Sequence, residues 1–186
     1  MAKTRLDWLE LVPYSANPTD TDAYQRGISA VGTELKFWNG TSWEVLTPTS
    51  ISGSGATVTL TAEQSGSKIL MDRAAGIVFT LPTNVVGLTY EFFVSTSVTS
   101  NSYKIITSTG TQLLVGQSIS IDTDTSNAVA AFTGNGTTHI AVTMNGTTTG
   151  GLIGTVLRFT CISSTLWLVD GFNQGSDAVA TPFATS

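Results

Sequence analysis

The chain has 186 residues, 41% of them apolar and only 11% charged, and carries a formal net charge of −5. That balance excludes a basic surface for the phosphates of nucleic acid, so no nucleic-acid partner is expected. No apolar run approaches the ~20 residues of a membrane helix, so no membrane partner is expected either.

Hydroxyls take the place of charge: the sequence holds 32 Thr and 20 Ser. Threonine is β-branched yet polar and suits the solvent face of a strand, which points to an all-β protein. Of 21 charged residues, 15 lie at or before Glu91. Strands so poor in charge have little protection against edge pairing, and one solution is to cover them with further copies of the chain.

Residues 1–31 differ from the rest of the chain. MAKTRLDWLELVPYSANPTDTDAYQRG contains two prolines and an apolar cluster of Leu6, Trp8, Leu9, Leu11 and Val12, with Tyr14 beside it. Pro13 ends any short helical turn or strand formed by this segment. Trp and Leu on a short segment need a surface to bury against, either a neighbouring chain or partner, or their own domain. No apolar signal-peptide core is present, so synthesis in a reducing cytosol is expected. ELKFWNGTSWEVL, residues 34–46, reads as a β-hairpin, with Asn39-Gly40 at the turn and Phe37 or Trp38 facing Trp43 across it. TPTSISGSG, residues 47–55, has the composition of a linker. The expected division is therefore an arm plus hairpin over 1–50 and a β-sandwich over 51–186.

ATVTLTAEQSGSKILMDRAAGIVFTLPTNVVGLTYEFFVS, residues 56–95, organises that second part. TVTLT alternates Thr with Val58 and Leu60, KILM is a short apolar run, GIVFTLP rises from a glycine and stops at Pro82, and GLTYEFFVS runs through Leu88, Tyr90, Phe92 and Val94. The four read as strands of period two separated by Gly, Pro, Ser and Asn. SYKIITS, SISID, AVAAFT, HIAVTM, TVLRFTCIS and TLWLVDG continue the pattern, while NQGSDAVATPFATS reads as a loose tail with Phe183 as an anchor. About ten strands with a turn roughly every ten residues suit an antiparallel β-sandwich or jelly-roll-like domain.

The sequence shows no catalytic constellation, and neither a metal nor a cofactor is expected. His139 is the only histidine and Cys161 the only cysteine; a lone cysteine excludes an internal disulfide. His139 reads as a surface or interface residue and Cys161 as a small buried hydrophobe, since neither sits in a motif that would supply a partner. Asp122, Asp124 and Ser126 resemble the start of a calcium loop, but the sixth-position glycine and the closing glutamate are missing, so the segment reads as an acidic loop. Asn39, Asn135 and Asn145 each open an N-G-T phrase, which reads as a turn rather than a glycosylation site. The glycine-rich loops lack the following helix that a phosphate site needs.

Four phrases resemble a pattern found in tailed-phage virion proteins. They are the LTA–SG phrase at Leu60 to Gly66, the strand Gly76 to Pro82, the strand Gly87 to Val94, and Tyr103 to Ile106. The ending is similar too, with W-x-V-x-G at Trp167 to Gly171 and TPF before the end, and the hairpin resembles short phrases of phage fibre and appendage proteins. The most specific resemblance is to capsid decoration (cement) proteins. It implies a non-enzymatic homotrimer on the outer surface of a phage head, bound to the major capsid protein after assembly in the host cytoplasm. On that reading Leu6, Trp8, Leu9, Leu11 and Tyr14 of the arm, with Phe37, Trp38 and Trp43 of the hairpin, contact the capsid or a neighbouring copy. The alternatives are a tail-fibre or receptor-binding protein recognising host glycans, and a polysaccharide-degrading enzyme, which would need paired carboxylates at working distance.

Overall fold

A computed structural model describes residues 50–53, 55–124 and 128–186 in full, and before them the backbone of four short strands. The chain divides into two compact units, Met1–Thr49 and Ser50–Ser186.

In the first unit, β1 (Pro13–Tyr14), β2 (Ile28–Val31), β3 (Glu34–Trp38) and β4 (Trp43–Val45) form one sheet in that order. β3 and β4 are the expected hairpin, with Trp38 opposite Trp43 in the register. β2 adds a third antiparallel strand and β1 pairs parallel to β2. The turn at Asn39-Gly40 lies outside the described residues.

The second unit is all-β. Its strands are β5 (Ser50–Ser52), β6 (Thr57–Thr59), β7 (Lys68–Met71), β8 (Ile77–Thr80), β9 (Thr89–Val94) and β10 (Tyr103–Ile106). Next come β11 (Leu113–Asp122), β12 (Val129–Asn135), β13 (Ala141–Met144), β14 (Val156–Cys161), β15 (Leu166–Gly175) and β16 (Phe183–Ala184). One sheet has seven strands in the order β12-β11-β15-β14-β9-β7-β5, and the other has five in the order β16-β13-β10-β8-β6. The two pack as a sandwich.

The pairing corrects the purely antiparallel expectation, because both sheets are mixed. From β5 to β10 the chain steps to the opposite sheet at every strand. Strands that become neighbours are therefore two apart in sequence and run the same way: β5 with β7, β7 with β9, β6 with β8, and β8 with β10. The Gly- and Ser-rich gaps in this region are arches between layers, not hairpins within one. The linker also shortens, since Ser50–Ser52 pairs with Lys68–Leu70 at the sheet edge. β15 runs on through Asn173–Gly175, and Phe183 pairs with Val142, so both ends of the supposed tail are strand.

The core follows from the period of two. In β9, Tyr90, Phe92 and Val94 are buried while Thr89, Glu91 and Phe93 are half-exposed. Phe92 meets Phe79 of the other sheet edge-on at 5.4 Å and Phe159 of its own sheet at 5.3 Å. Trp167 is wholly buried beside Tyr90, with ring centroids 6.0 Å apart. At the end of the sandwich, buried Asn173 accepts from the Gly151 N–H and donates to the Thr149 carbonyl, tying the loop before β14 to β15. Gly146 has a φ of +83°, and a Cβ there would lie 2.1 Å from the Val98 carbonyl oxygen, so that turn requires glycine.

Candidate interaction surface

The single cysteine and the single histidine are each held by local contacts. Cys161 is buried, its thiol donates to the Ser163 carbonyl at 3.2 Å, and burial pushes its pKa up. A nucleophilic cysteine needs the opposite shift. His139 stacks on Phe183 at 5.7 Å, and its Nδ1 accepts from the Asn135 N–H at 3.2 Å. Asp122 is buried and accepts from the Asp124 N–H in an Asx turn at the end of β11. Among the described residues no group of three His, Cys, Asp or Glu is placed to hold a metal.

The two described N-G-T phrases are turns, as expected, but by side-chain capture. Asn135 Oδ1 accepts from the backbone N–H groups of Thr137, Thr138 and His139. Asn145 Oδ1 accepts from those of Thr147 and Thr149.

Among the described residues, the outer face of the seven-stranded sheet carries an ordered arrangement of side chains. Adjacent strands bring Lys68 of β7, Glu91 of β9, Arg158 of β14 and Asp170 of β15 into one cross-strand row. The signs alternate, and the row is linked throughout. Lys68 pairs with Glu91, while Arg158 lies 3.8 Å from Glu91 and 3.4 Å from Asp170. All four side chains keep substantial contact with solvent.

One row along the same strands, Leu70, Phe93, Val156 and Phe172 align across β7, β9, β14 and β15. Ile119 of β11 continues the line. Phe172 is 55% exposed. The Lys68 ammonium lies 5.2 Å from the Phe93 ring centre, which ties the charged row to the apolar one. Two shallow depressions flank the charges. One of about 310 Å³ is lined by Gly66, Thr89, Glu91 and Arg158, and one of about 150 Å³ by Val156, Arg158, Asp170 and Phe172 among others.

None of the contact residues singled out from the sequence belongs to either row. Leu6, Trp8, Leu9 and Leu11 fall outside the described residues, and Tyr14, Phe37, Trp38 and Trp43 are placed by backbone alone. The charged and apolar rows are not anticipated by the sequence. Alternation in GLTYEFFVS, TVLRFTCIS and TLWLVDG marks Glu91, Arg158 and Asp170 as solvent-facing, but only the register aligns them.

No family model, no curated protein and no solved structure matches the chain.

Proposed function

We propose that the chain is a structural virion protein that decorates the outer surface of a phage head and stabilises it by bridging capsomers. The observation that carries this reading is the fit between resemblance and architecture. The four phrases and the ending that resemble virion proteins run from Leu60 to the end of the chain and fall within one compact unit, Ser50–Ser186, while the hairpin phrase falls in the other. The Trp- and Leu-rich arm belongs to the other unit. In this reading the arm and hairpin contact the major capsid protein or clasp a neighbouring copy. The mechanism is binding energy repeated over many copies, each of which must offset the entropy of ordering its arm. Self-association is part of the reading. Low charge together with the resemblance points to three copies; a dimer of the purified chain in solution would overturn that part of the reading and leave capsid binding standing.

Co-sedimentation with capsids tests the proposal. The full chain is expected to pellet with capsids and not with host cells; the reverse would favour a receptor-binding protein. A chain beginning at Thr47, which retains β5, is expected to stay β-rich by circular dichroism and to lose capsid binding. Trp8→Ala is expected to weaken binding by about 30-fold, the cost of truncating a buried aromatic anchor at roughly 2 kcal/mol. Undiminished binding by the shortened chain would move the attachment surface onto the sandwich.

A further inference from the structure

We infer that the outer face of the seven-stranded sheet docks against the same face of a second copy, about a two-fold axis running along the strands between β9 and β14. The inference is independent of the capsid reading and rests on charge order. Across β7, β9, β14 and β15 the row reads plus, minus, plus, minus in Lys68, Glu91, Arg158 and Asp170. A two-fold axis parallel to the strands reverses that order without shifting the row along the strands. Lys68 then faces the second copy's Asp170, and Glu91 faces its Arg158. Each charge, which already has opposite neighbours within its own sheet, gains another across the interface. An in-plane axis at right angles to the strands would instead set like charges against each other at the row, which is costly where water is expelled.

The same operation preserves the second row. Leu70 faces Phe172 of the copy, and Phe93 faces Val156 of the copy. The apolar stripe meets itself, so Phe172 leaves water. This is the isologous matching that a two-fold interface requires; a three-fold interface would join two different patches. Aligned sheets cross at about 30° because each is twisted. Lys68 and Asp170 sit one and a half strand spacings, about 7 Å, from the axis. There the crossing displaces facing positions by about 4 Å, within reach of a lysine side chain.

Size sets the strength. Four strands about 4.8 Å apart and two rows about 7 Å apart give a footprint of roughly 270 Å² per copy. A standard stable interface buries about 800 Å² per partner. The association is therefore weak and depends on concentration.

Sedimentation equilibrium of the purified full chain, from about 1 to several hundred micromolar, tests the inference. The expected result is a monomer–dimer equilibrium that Phe172→Asp abolishes without changing circular dichroism or thermal unfolding. The axis is tested by mixing Lys68→Cys protein with Asp170→Cys protein and adding a short bismaleimide. Buried Cys161 does not compete. A cross-linked dimer is expected from the mixture and not from Lys68→Cys protein alone. A monomer throughout the range, a trimer, association that survives Phe172→Asp, or efficient cross-linking of Lys68→Cys protein alone would each overturn it.

Discussion

Phe92 and Phe93 are neighbours in β9 and point to opposite sides of the same sheet. Phe92 is wholly buried between Phe79 and Phe159. Phe93 lies on the outer face between Leu70 and Val156, under the Lys68 ammonium. The inner face is a closed aromatic core that holds two sheets together. The outer face carries a row of apolar side chains beside a ladder of charges, and among the described residues of its own unit no second layer covers it. One strand with one alternation thus serves two surfaces, and position in the pleat decides which residue stabilises the fold and which is free to recognise something else.

The sharpest way to break that comparison is to truncate both rings. Phe92→Ala is expected to cost about 3–5 kcal/mol, the transfer of a buried ring plus the cavity it leaves. Phe93→Ala removes a half-exposed ring and is expected to cost less than about 1.5 kcal/mol. Urea unfolding of both variants at low micromolar concentration, where copies are apart, measures the difference. Equal costs would mean that the outer face is packed as tightly as the core.

The inner face was largely legible in the sequence. Alternation over GLTYEFFVS, residues 87–95, identifies Leu88, Tyr90, Phe92 and Val94 as one side of the strand, and all four are buried. Period two follows from the pleat and needs no knowledge of partners. Pairing was not legible in the same way. The gaps after β7, β8 and β9 carry the Gly, Pro, Ser and Asn of hairpin turns, yet they lead from one sheet to the other. Turn chemistry bends the chain in both cases; whether the next strand lands beside its predecessor or across the core depends on which apolar face it must bury. The parallel pairs escaped for that reason. So did the ladder, whose members lie as far apart in sequence as Lys68 and Asp170. Cys161 was legible because it stands in phase with Leu157 and Phe159 on the buried side of β14.

Alkaline titration sharpens the comparison from the inner side. The Tyr90 hydroxyl donates to the Thr61 carbonyl at 2.7 Å, and desolvation, helped by the charge of Glu63, raises its pKa from 10.0 to about 12. The unfolded chain releases this proton near pH 10, the folded chain only near pH 12. Between those values the unfolded state binds fewer protons, so stability is complete below pH 10 and falls as pH rises through this window. Tyr90→Phe is expected to make the fall shallower while costing some stability at neutral pH through the lost hydrogen bond. Denaturant midpoints at pH 8, 10 and 11 test this; a slope identical to that of the parent chain would remove Tyr90 as its source.

The smallest expected effect lies on the outer face. Arg158 sits in the middle of the charged ladder, 3.4 Å from Asp170 and 3.8 Å from Glu91, with its side chain 53% exposed. Exposed ion pairs contribute about 0.2–1 kcal/mol, because water and salt screen them and two long side chains must be held still. Removing the guanidinium leaves Glu91 paired with Lys68 and leaves Asp170 in contact with water. In dilute protein, Arg158→Ala is therefore expected to change unfolding stability by less than about 0.5 kcal/mol, close to the limit of measurement. A loss above about 1.5 kcal/mol would show that the ladder helps hold β9, β14 and β15 in register and is part of the fold. A negligible loss, with Phe92→Ala severe on the opposite face, leaves the alternating charges free to act in recognition.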